Sequence, residues 1–278
     1  MIRGRRLGST RDAAFLGYHA ICASGPPYLS LRPEILARQL DFLAAKGYRS
    51  GTRADLEAVA SGRSIGSRRA FLTFDDGFLD TFTVAAPMLA ERGFGGFVFV
   101  LPRHLEDGAP LDWPEVEGAL DAHPATMRSM TWEMAEELAA GGWEVGSHTL
   151  SHPRLTLLGD QELRRELEES RALVAARLGR CDTLAYPFGD WDARVERAAG
   201  DAGYRFAFTL PIDSQREVSQ LSIPRLTIDD RDTVSRFRFK VSRPGRLLLF
   251  SQVRPLARRL RRHQVQSHAR PAPSRPSR

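Results

Sequence analysis

The chain has 278 residues, of which 42% are hydrophobic, and this is enough to bury a sizeable core in one large or two modest domains. Its two cysteines, Cys22 and Cys181, are too few for a disulfide framework or a cysteine-based zinc site. The formal net charge of +6 is unevenly placed, because thirteen of the 40 Lys and Arg residues follow Asp232, the last acidic residue, while the chain up to Asp232 carries 27 Lys and Arg against 34 Asp and Glu.

Apolar runs of strand length alternate with stretches of helical periodicity along most of the chain. The predicted strands cover residues 13–18, 71–74, 97–101, 143–147, 183–186 and 205–209. The predicted helices cover residues 31–46, 79–91, 131–140, 160–178 and 192–202, and most of them stop at a glycine. This alternation favours βα units that form a parallel sheet or barrel, so we expect an α/β fold.

Two adjacent carboxylates, Asp75 and Asp76, follow the predicted strand over 71–74 and precede Gly77. Successive side chains of a strand point in opposite directions, so both carboxylates can face one target only where the chain turns, as it can at Gly77. On its own, an Asp-Asp-Gly sequence is more typical of an ordinary turn.

Two histidines four residues apart, His148 and His152, follow the predicted strand over 143–147. Pro153 disfavours helical geometry at His152, so the pair is predicted to lie in a strand-end loop. On its own, this spacing also occurs among surface histidines. The carboxyl ends of barrel strands meet at one face, however, and one aspartate with two imidazoles suits zinc. The other aspartate is then available as a general base.

The basic C-terminal region is predicted to form a tail over 233–278, after a main domain over 1–232. Its arginines and the apolar run at 247–250 suit contact with an anionic membrane surface, and a disordered solubilising tail is the alternative. We expect no specific nucleic-acid partner. Because no apolar segment of signal-peptide length follows the basic start, the chain is predicted to be cytoplasmic, with peripheral contact at the inner membrane face left open.

Three segments in order along the chain, 73–77, 146–153 and 185–189, resemble the motifs of the polysaccharide deacetylases, the NodB-like carbohydrate esterases. They read Thr-Phe-Asp-Asp-Gly, Gly-Ser-His-Thr-Leu-Ser-His-Pro and Ala-Tyr-Pro-Phe-Gly. The likeness spans about residues 13–228, and the early position of His19 resembles the exopolysaccharide-type branch. The resemblance implies a distorted, incomplete (β/α)7 barrel.

The same resemblance implies a centre for zinc or another divalent transition metal. Carried over by position, its ligands would be Asp76, His148 and His152. Asp75 would be the base that takes a proton from the attacking water, while the metal polarises the acetyl carbonyl.

Further roles are implied by the resemblance. The backbone N–H of Tyr186 would contact the oxyanion, and Pro187 and Phe188 would shape the sugar groove. The leaving amine needs a proton, which relatives supply from a histidine in a C-terminal Leu-x-His segment. No such segment follows Phe208, so His19 is the candidate acid.

One position departs from the family pattern. Many relatives carry an arginine in the third motif that tethers the catalytic base, and this chain has Ala185 there. Either another arginine reaches Asp75, or the base is untethered and the lost charge raises the pKa of Asp75.

The expected function is a metal-dependent hydrolase that removes N-acetyl groups from an amino sugar in a glycan or a lipid-linked glycan precursor. Two alternatives remain open: hydrolysis of a small cyclic or linear amide, as in the allantoinase-like branch, and a non-catalytic relic that binds glycans. The retained Asp75 disfavours the relic, because metal binding alone needs only the other three residues.

Overall fold

The computed structural model describes residues 13–61, 63–65, 68–210 and 219–250. Its strands are β1 (Ala13–Tyr18), β2 (Ala20–Ile21), β3 (Ser30–Leu31), β4 (Arg49–Ser50), β5 (Arg69–Phe74), β6 (Phe97–Val100), β7 (Glu144–Ser147), β8 (Thr183–Ala185), β9 (Phe206–Thr209), β10 (Ile223–Pro224) and β11 (Leu226–Thr227). Its helices are α1 (Pro33–Ala45), α2 (Arg53–Ala60), α3 (Ala86–Ala90), α4 (Glu117–Ala122), α5 (Trp132–Ala140), α6 (Asp160–Leu178), α7 (Ala193–Asp201), α8 (Val234–Val241) and α9 (Arg243–Phe250). Among these described helices, none combines the length and apolar character that a bilayer crossing requires.

Most of the strands form one parallel sheet that curves into a nearly closed barrel. The strand order is β10-β9-β8-β7-β6-β5-β1-β11, and β4 pairs with the start of β5. Helices separate most consecutive strands of the sheet, which is the pattern of βα units. The predicted α/β fold, a distorted (β/α)7 barrel, is confirmed.

The two faces of the barrel wall carry different side chains, because successive strand residues point to opposite sides. One cluster collects aromatic rings from four strands and fills the barrel interior: Phe15, Phe71, Phe97, Phe99, Phe206 and Phe208. Rings Phe15 and Phe71 stack with centroids 4.4 Å apart. The opposite face packs against the surrounding helices in a larger, mainly aliphatic cluster. This core fixes the strand ends, where the polar residues lie.

The barrel has a seam between β10 and β11, which are consecutive in the chain but pair with different neighbours. β10 pairs with β9, and β11 pairs with β1. The single residue between them is Arg225, whose N–H donates to Thr209 O at 2.9 Å. The chain therefore crosses the seam at a buried arginine.

The residues that follow Asp232 pack onto the barrel. Phe237 and Val241 of α8 are buried in the same cluster as the helices around the sheet. Lys240 Nζ donates to Thr227 O at 2.7 Å and pairs with Asp232 at 2.6 Å. The domain boundary at Asp232 stays a prediction, but the described residues after it continue the core, and the rest of the predicted tail, from 251 on, lies outside the described residues.

Most predicted elements agree with the observed ones within a few residues. The helix predicted over 160–178 has the same bounds as α6. The helix predicted over 79–91 is divided into a π-helical turn, Thr81–Ala85, and α3. The two-residue strands β10 and β11 had no sequence signal, because so short a segment shows no periodicity.

Candidate active site and metal centre

The end of β5 places both carboxylates of the aspartate pair at the carboxyl end of the barrel. Asp75 stays in line with the sheet, since its N–H donates to Tyr18 O at 2.9 Å. Asp76 then takes a left-handed backbone with φ 68°, and Gly77 follows with the same φ. A non-glycine residue adopts this conformation only at a cost in energy. The turn brings two buried carboxylates to one site, as the sequence predicted.

The end of β7 supplies the two imidazoles. The N–H of His148 donates to Val100 O at 2.8 Å, directly after the strand. His152 lies in the following loop, with φ 59°. Their Nε2 atoms lie 3.2 and 3.5 Å from Oδ1 of Asp76, and the potential ligand atoms of all three residues lie within 4.8 Å of one another. The structure thus brings together the three predicted metal ligands, which we name the metal triad.

The hydrogen bonding of the metal triad leaves ligand atoms available for a divalent transition metal. His148 Nδ1 lies 2.8 Å from Ala185 O, so this nitrogen carries the proton and Nε2 keeps its lone pair toward the aspartate. Oδ1 of Asp76 is buried without a hydrogen-bond partner. A buried acceptor in that state is costly unless a cation lies beside it. This arrangement fits a bound cation at the triad.

Burial and the neighbouring charges also set the protonation of the triad. Burial would raise the pKa of Asp76, but the neighbouring imidazoles of His148 and His152 outweigh it and hold that pKa far below its usual range. Burial lowers the pKa of His152 to about 3, against the opposing effect of Asp76. An ionised carboxylate and a neutral imidazole are the ligand forms that zinc and similar metals bind.

Arg225 is the tether of Asp75, and the sequence analysis did not identify it. Its Nη1 and Nη2 donate to Oδ1 and Oδ2 of Asp75 at 2.6 and 2.7 Å, and Nη1 also donates to Thr73 Oγ1 at 2.8 Å. The guanidinium carbon lies 5.5 and 5.7 Å from the ring centroids of Phe99 and Phe208. This fork geometry holds a carboxylate in one orientation.

The first of the two possibilities raised by Ala185 is therefore correct: another arginine reaches the base, from the seam between β10 and β11. Burial would raise the pKa of Asp75, but Arg225, with smaller effects of His148 and His19, lowers it below the usual range. The second possibility, an untethered base with a raised pKa, does not apply, because the counter-charge of Arg225 is present.

His19 lies where the sequence predicted, directly after β1. Its Nε2 is 4.0 Å from Oδ2 of Asp75, and its side chain is 19% exposed. Nδ1 is buried without a hydrogen-bond partner. An imidazole that reaches both the solvent and the aspartate pair is placed to exchange protons with a bound molecule.

Tyr186 does not have the geometry predicted for it. Its backbone N–H donates to Phe208 O at 3.0 Å, as part of the parallel sheet. Its hydroxyl donates to Leu221 O at 2.9 Å, and the side chain is buried. The predicted oxyanion contact from this amide is therefore wrong, because the sheet already uses the N–H.

Two aromatic rings, those of Phe188 and Trp113, pack against His152 at the edge of the site. Phe188 of the predicted groove has its ring centroid 4.6 Å from that of His152, and its backbone is left-handed with φ 58°. Pro187 precedes it and is buried. On another side, the Trp113 ring lies 4.1 Å from His152, and the Arg154 guanidinium lies 4.0 Å from the Phe188 ring. Trp113 and Arg154 were not predicted, since each is an isolated residue without a motif.

Comparison with known proteins places these features in a family context. Residues 63–207, more than half of the chain, match the family model described as Polysaccharide deacetylase. YxkH of Bacillus subtilis (strain 168), a protein named for the same family, is 24% identical over 216 residues, which cover 77% of this chain and 70% of YxkH. A chitooligosaccharide deacetylase of Rhizobium leguminosarum bv. trifolii is 30% identical over 144 residues, which cover 50% of this chain and 54% of that enzyme.

Solved structures show the same fold. IcaB from Ammonifex degensii superposes with a TM-score of 0.67 at 24% identity, covering 82% of this chain and 94% of that one. The deacetylase PplD of Streptococcus pyogenes, solved in complex with acetate, superposes with a TM-score of 0.65 at 19% identity, covering 90% of this chain and 100% of that one. At these identities the likeness establishes the barrel architecture.

Proposed function

Since this chain belongs to the polysaccharide deacetylase family and is a carbohydrate deacetylase, we propose that it is a metal-dependent hydrolase that removes N-acetyl groups from an amino sugar in a glycan or a lipid-linked glycan precursor. The observation that carries the proposal is that a candidate metal site and a candidate general base lie side by side at one end of the barrel. Asp76, His148 and His152 converge within ligand distance, while Asp75 is held beside them by Arg225.

Zinc or another divalent transition metal, when held by the metal triad, would supply a Lewis acid for the acetyl carbonyl and make water more acidic. Asp75 accepts a proton from the attacking water, and Arg225 keeps it ionised and oriented for this role. The water oxygen bonds to the acetyl carbon and the C–N bond breaks. His19 donates a proton to the amine nitrogen as it leaves, so the products are acetate and a free amino sugar.

The Asp75 geometry also weighs against a non-catalytic glycan-binding protein. A bidentate arginine clamp on a carboxylate outside the metal triad has no use in metal binding alone. The alternative of a small cyclic or linear amide substrate has no observation in its favour, and the family assignment favours carbohydrate.

Asp75→Asn tests the proposal, because asparagine keeps the shape of the side chain but cannot accept the proton. We expect acetate release from acetylated amino-sugar oligosaccharides to be abolished, with the metal content per chain unchanged by elemental analysis. Asp160→Asn, at an exposed carboxylate on α6, serves as the matched control and should retain full activity. Acetate release that survives Asp75→Asn would refute the assignment of the base.

The C-terminal region supports a second part of the proposal, namely peripheral contact with an anionic membrane surface at the inner face. Phe239 on α8 is 47% exposed, and two exposed arginines, at 236 and 238, precede it on the same helix. Cations and an exposed ring together suit an anionic bilayer. Removal of residues 251–278, which follow the described residues, should reduce co-sedimentation with phosphatidylglycerol vesicles but not with phosphatidylcholine vesicles. Equal binding of the full-length and the shortened protein to phosphatidylglycerol vesicles would show that the tail does not contribute to membrane contact.

A further inference from the structure

The loop of residues 148–152, here called the histidine loop, is held by side-chain oxygens. Its four amides after His148 all donate to side chains. The N–H of Thr149 donates to Ser147 Oγ at 3.0 Å, and the N–H of His152 donates to Thr149 Oγ1 at 3.2 Å. The shape of this loop therefore depends on the groups that receive its N–H bonds.

The two central amides of the histidine loop share one acceptor, the carboxylate of Glu166 on α6. The N–H groups of Leu150 and Ser151 donate to Glu166 Oε2 at 2.8 and 3.1 Å. Ser151 Oγ donates to Oε1 of the same carboxylate at 2.6 Å. Hydrogen bonds to an ionised acceptor are roughly twice as strong as bonds between neutral groups. One side chain thus receives three bonds from two adjacent loop residues.

The backbone that these bonds hold is strained. Thr149 has φ 73° and His152 has φ 59°. The left-handed region is unfavourable for an L-residue, and a β-branched residue such as threonine rarely occupies it. Such a conformation persists only where its surroundings enforce it. Thr149 is fully buried and Leu150 nearly so, so α6 and the loop form one packed unit.

We propose that Glu166 is a positioning residue for the metal centre. By receiving the amides of Leu150 and Ser151, it fixes the loop in the conformation that aims the imidazoles of His148 and His152 at Asp76. The inference rests on the proposed metal-dependent function, but it concerns the loop and not the reaction. Without the carboxylate, two amides lose their acceptor, and the remaining hydrogen bonds from Thr149 and His152 oppose relaxation of the left-handed residues toward ordinary backbone angles less strongly.

The neighbourhood of Glu166 separates this role from ordinary pairing on a helix surface. α6 is rich in Glu and Arg, and Arg165 pairs with Glu169 at 3.0 Å across its exposed face. Glu166 is half-buried and faces the loop instead. A carboxylate that served only the stability of the helix would be replaceable without effect on the imidazoles.

Glu166→Ala tests the proposal through metal binding and backbone exchange. We expect the dissociation constant for Zn²⁺, measured by competition with a chromogenic chelator, to rise roughly tenfold or more, as is typical when a supporting group of a metal site is lost. In the metal-free protein the amides of Leu150 and Ser151 should lose protection from hydrogen exchange. With saturating Zn²⁺, kcat should fall while KM stays close to that of the wild type, since Glu166 does not line the groove.

Two further variants keep the test decisive. Glu166→Gln can present its carbonyl oxygen to both amides and its NH2 group to Ser151 Oγ, so it should restore most of the affinity for Zn²⁺. Glu166→Asp keeps the charge but is one methylene short, so it should resemble Glu166→Ala and also serves if the alanine variant does not fold. Glu168→Ala, at an exposed residue of the same helix, is the matched control.

The possible outcomes distinguish this inference from the proposed function. Unchanged Zn²⁺ affinity and unchanged exchange in Glu166→Ala or Glu166→Asp would overturn the role of Glu166, while Zn²⁺ binding that is lost in Asp76→Ala would still uphold the metal centre. A Glu166→Gln variant as weak as Glu166→Ala would also overturn it, because charge and not the hydrogen bonds would then be responsible. Absence of Zn²⁺ binding by the wild type would refute the metal centre and this inference together.

Discussion

Replacing Arg225 by methionine should destabilise the metal-free protein strongly. The guanidinium is 1% exposed and makes two short bonds to Asp75, so the substitution leaves a buried carboxylate without a counter-charge. Removing one partner of a buried ion pair costs about 3–5 kcal/mol. With about 2–4 °C per kcal/mol for chains of this general size, the melting temperature should fall by roughly 6–20 °C.

An exposed ion pair gives the scale for comparison. Arg165 and Glu169 are 61% and 50% exposed and 3.0 Å apart on α6, and pairs of this kind are worth about 0.3–0.5 kcal/mol. Arg165→Met is therefore the control and should leave the melting temperature nearly unchanged. Arg225→Lys, which keeps the charge but not the fork, should fall between the two.

The loss of stability in Arg225→Met should also depend on pH. In the wild type the pKa of Asp75 is lowered, so its contribution to stability is present above the ordinary carboxyl pKa and is lost as pH falls through the folded-state value. In the variant, burial without the arginine raises that pKa, and the variant gains relative stability on acidification. Denaturant unfolding of both chelator-treated proteins at pH 7.5 and pH 5 should show a smaller difference at pH 5. A difference under about 1 kcal/mol, or one equal at both pH values, contradicts the buried-pair reasoning.

Two other substitutions test the site and the fold. His19→Gln should lower kcat by about 10²–10⁴ without changing the bound metal per chain, as expected for loss of a general acid, and an unchanged kcat would remove His19 from the mechanism. Phe237→Ala should cost about 3–5 kcal/mol, because the ring is fully buried, whereas Phe239→Ala on the exposed face of the same helix should change the free energy of unfolding by about 0.5 kcal/mol or less. Equal effects of the two phenylalanine variants in denaturant unfolding would show that α8 is not part of the core.

The parts of the site that could be predicted are those that a short segment encodes. Asp75 and Asp76 directly follow a strand, and His148 and His152 follow another, so the alignment of strand ends in a barrel was enough to bring them together. The barrel itself followed from the alternation of strands and helices. The roles of these residues remain proposals, but their proximity was predictable.

The supporting residues could not be predicted, because their partners are distant in the sequence. Arg225 lies 150 residues from Asp75, between two strands too short to show a pattern. Its one signal was a lone arginine inside the apolar run at 221–228. Glu166 resembled the other acidic residues of α6, and only the backbone N–H groups that face it distinguish it. The prediction for Tyr186 failed because pairing within the sheet decides which amides are available.

The position of Arg225 at the seam has a consequence for the order in which the protein matures. During synthesis the metal triad and Asp75 emerge well before Arg225, which arrives with the segment that joins the two edges of the sheet. A nascent or truncated chain that ends earlier can contain every residue that handles a metal or a proton and still lack the cation that keeps the base charged. Under the proposed mechanism hydrolytic activity therefore requires closure of the barrel, and we expect chains that end before Arg225 to be inactive.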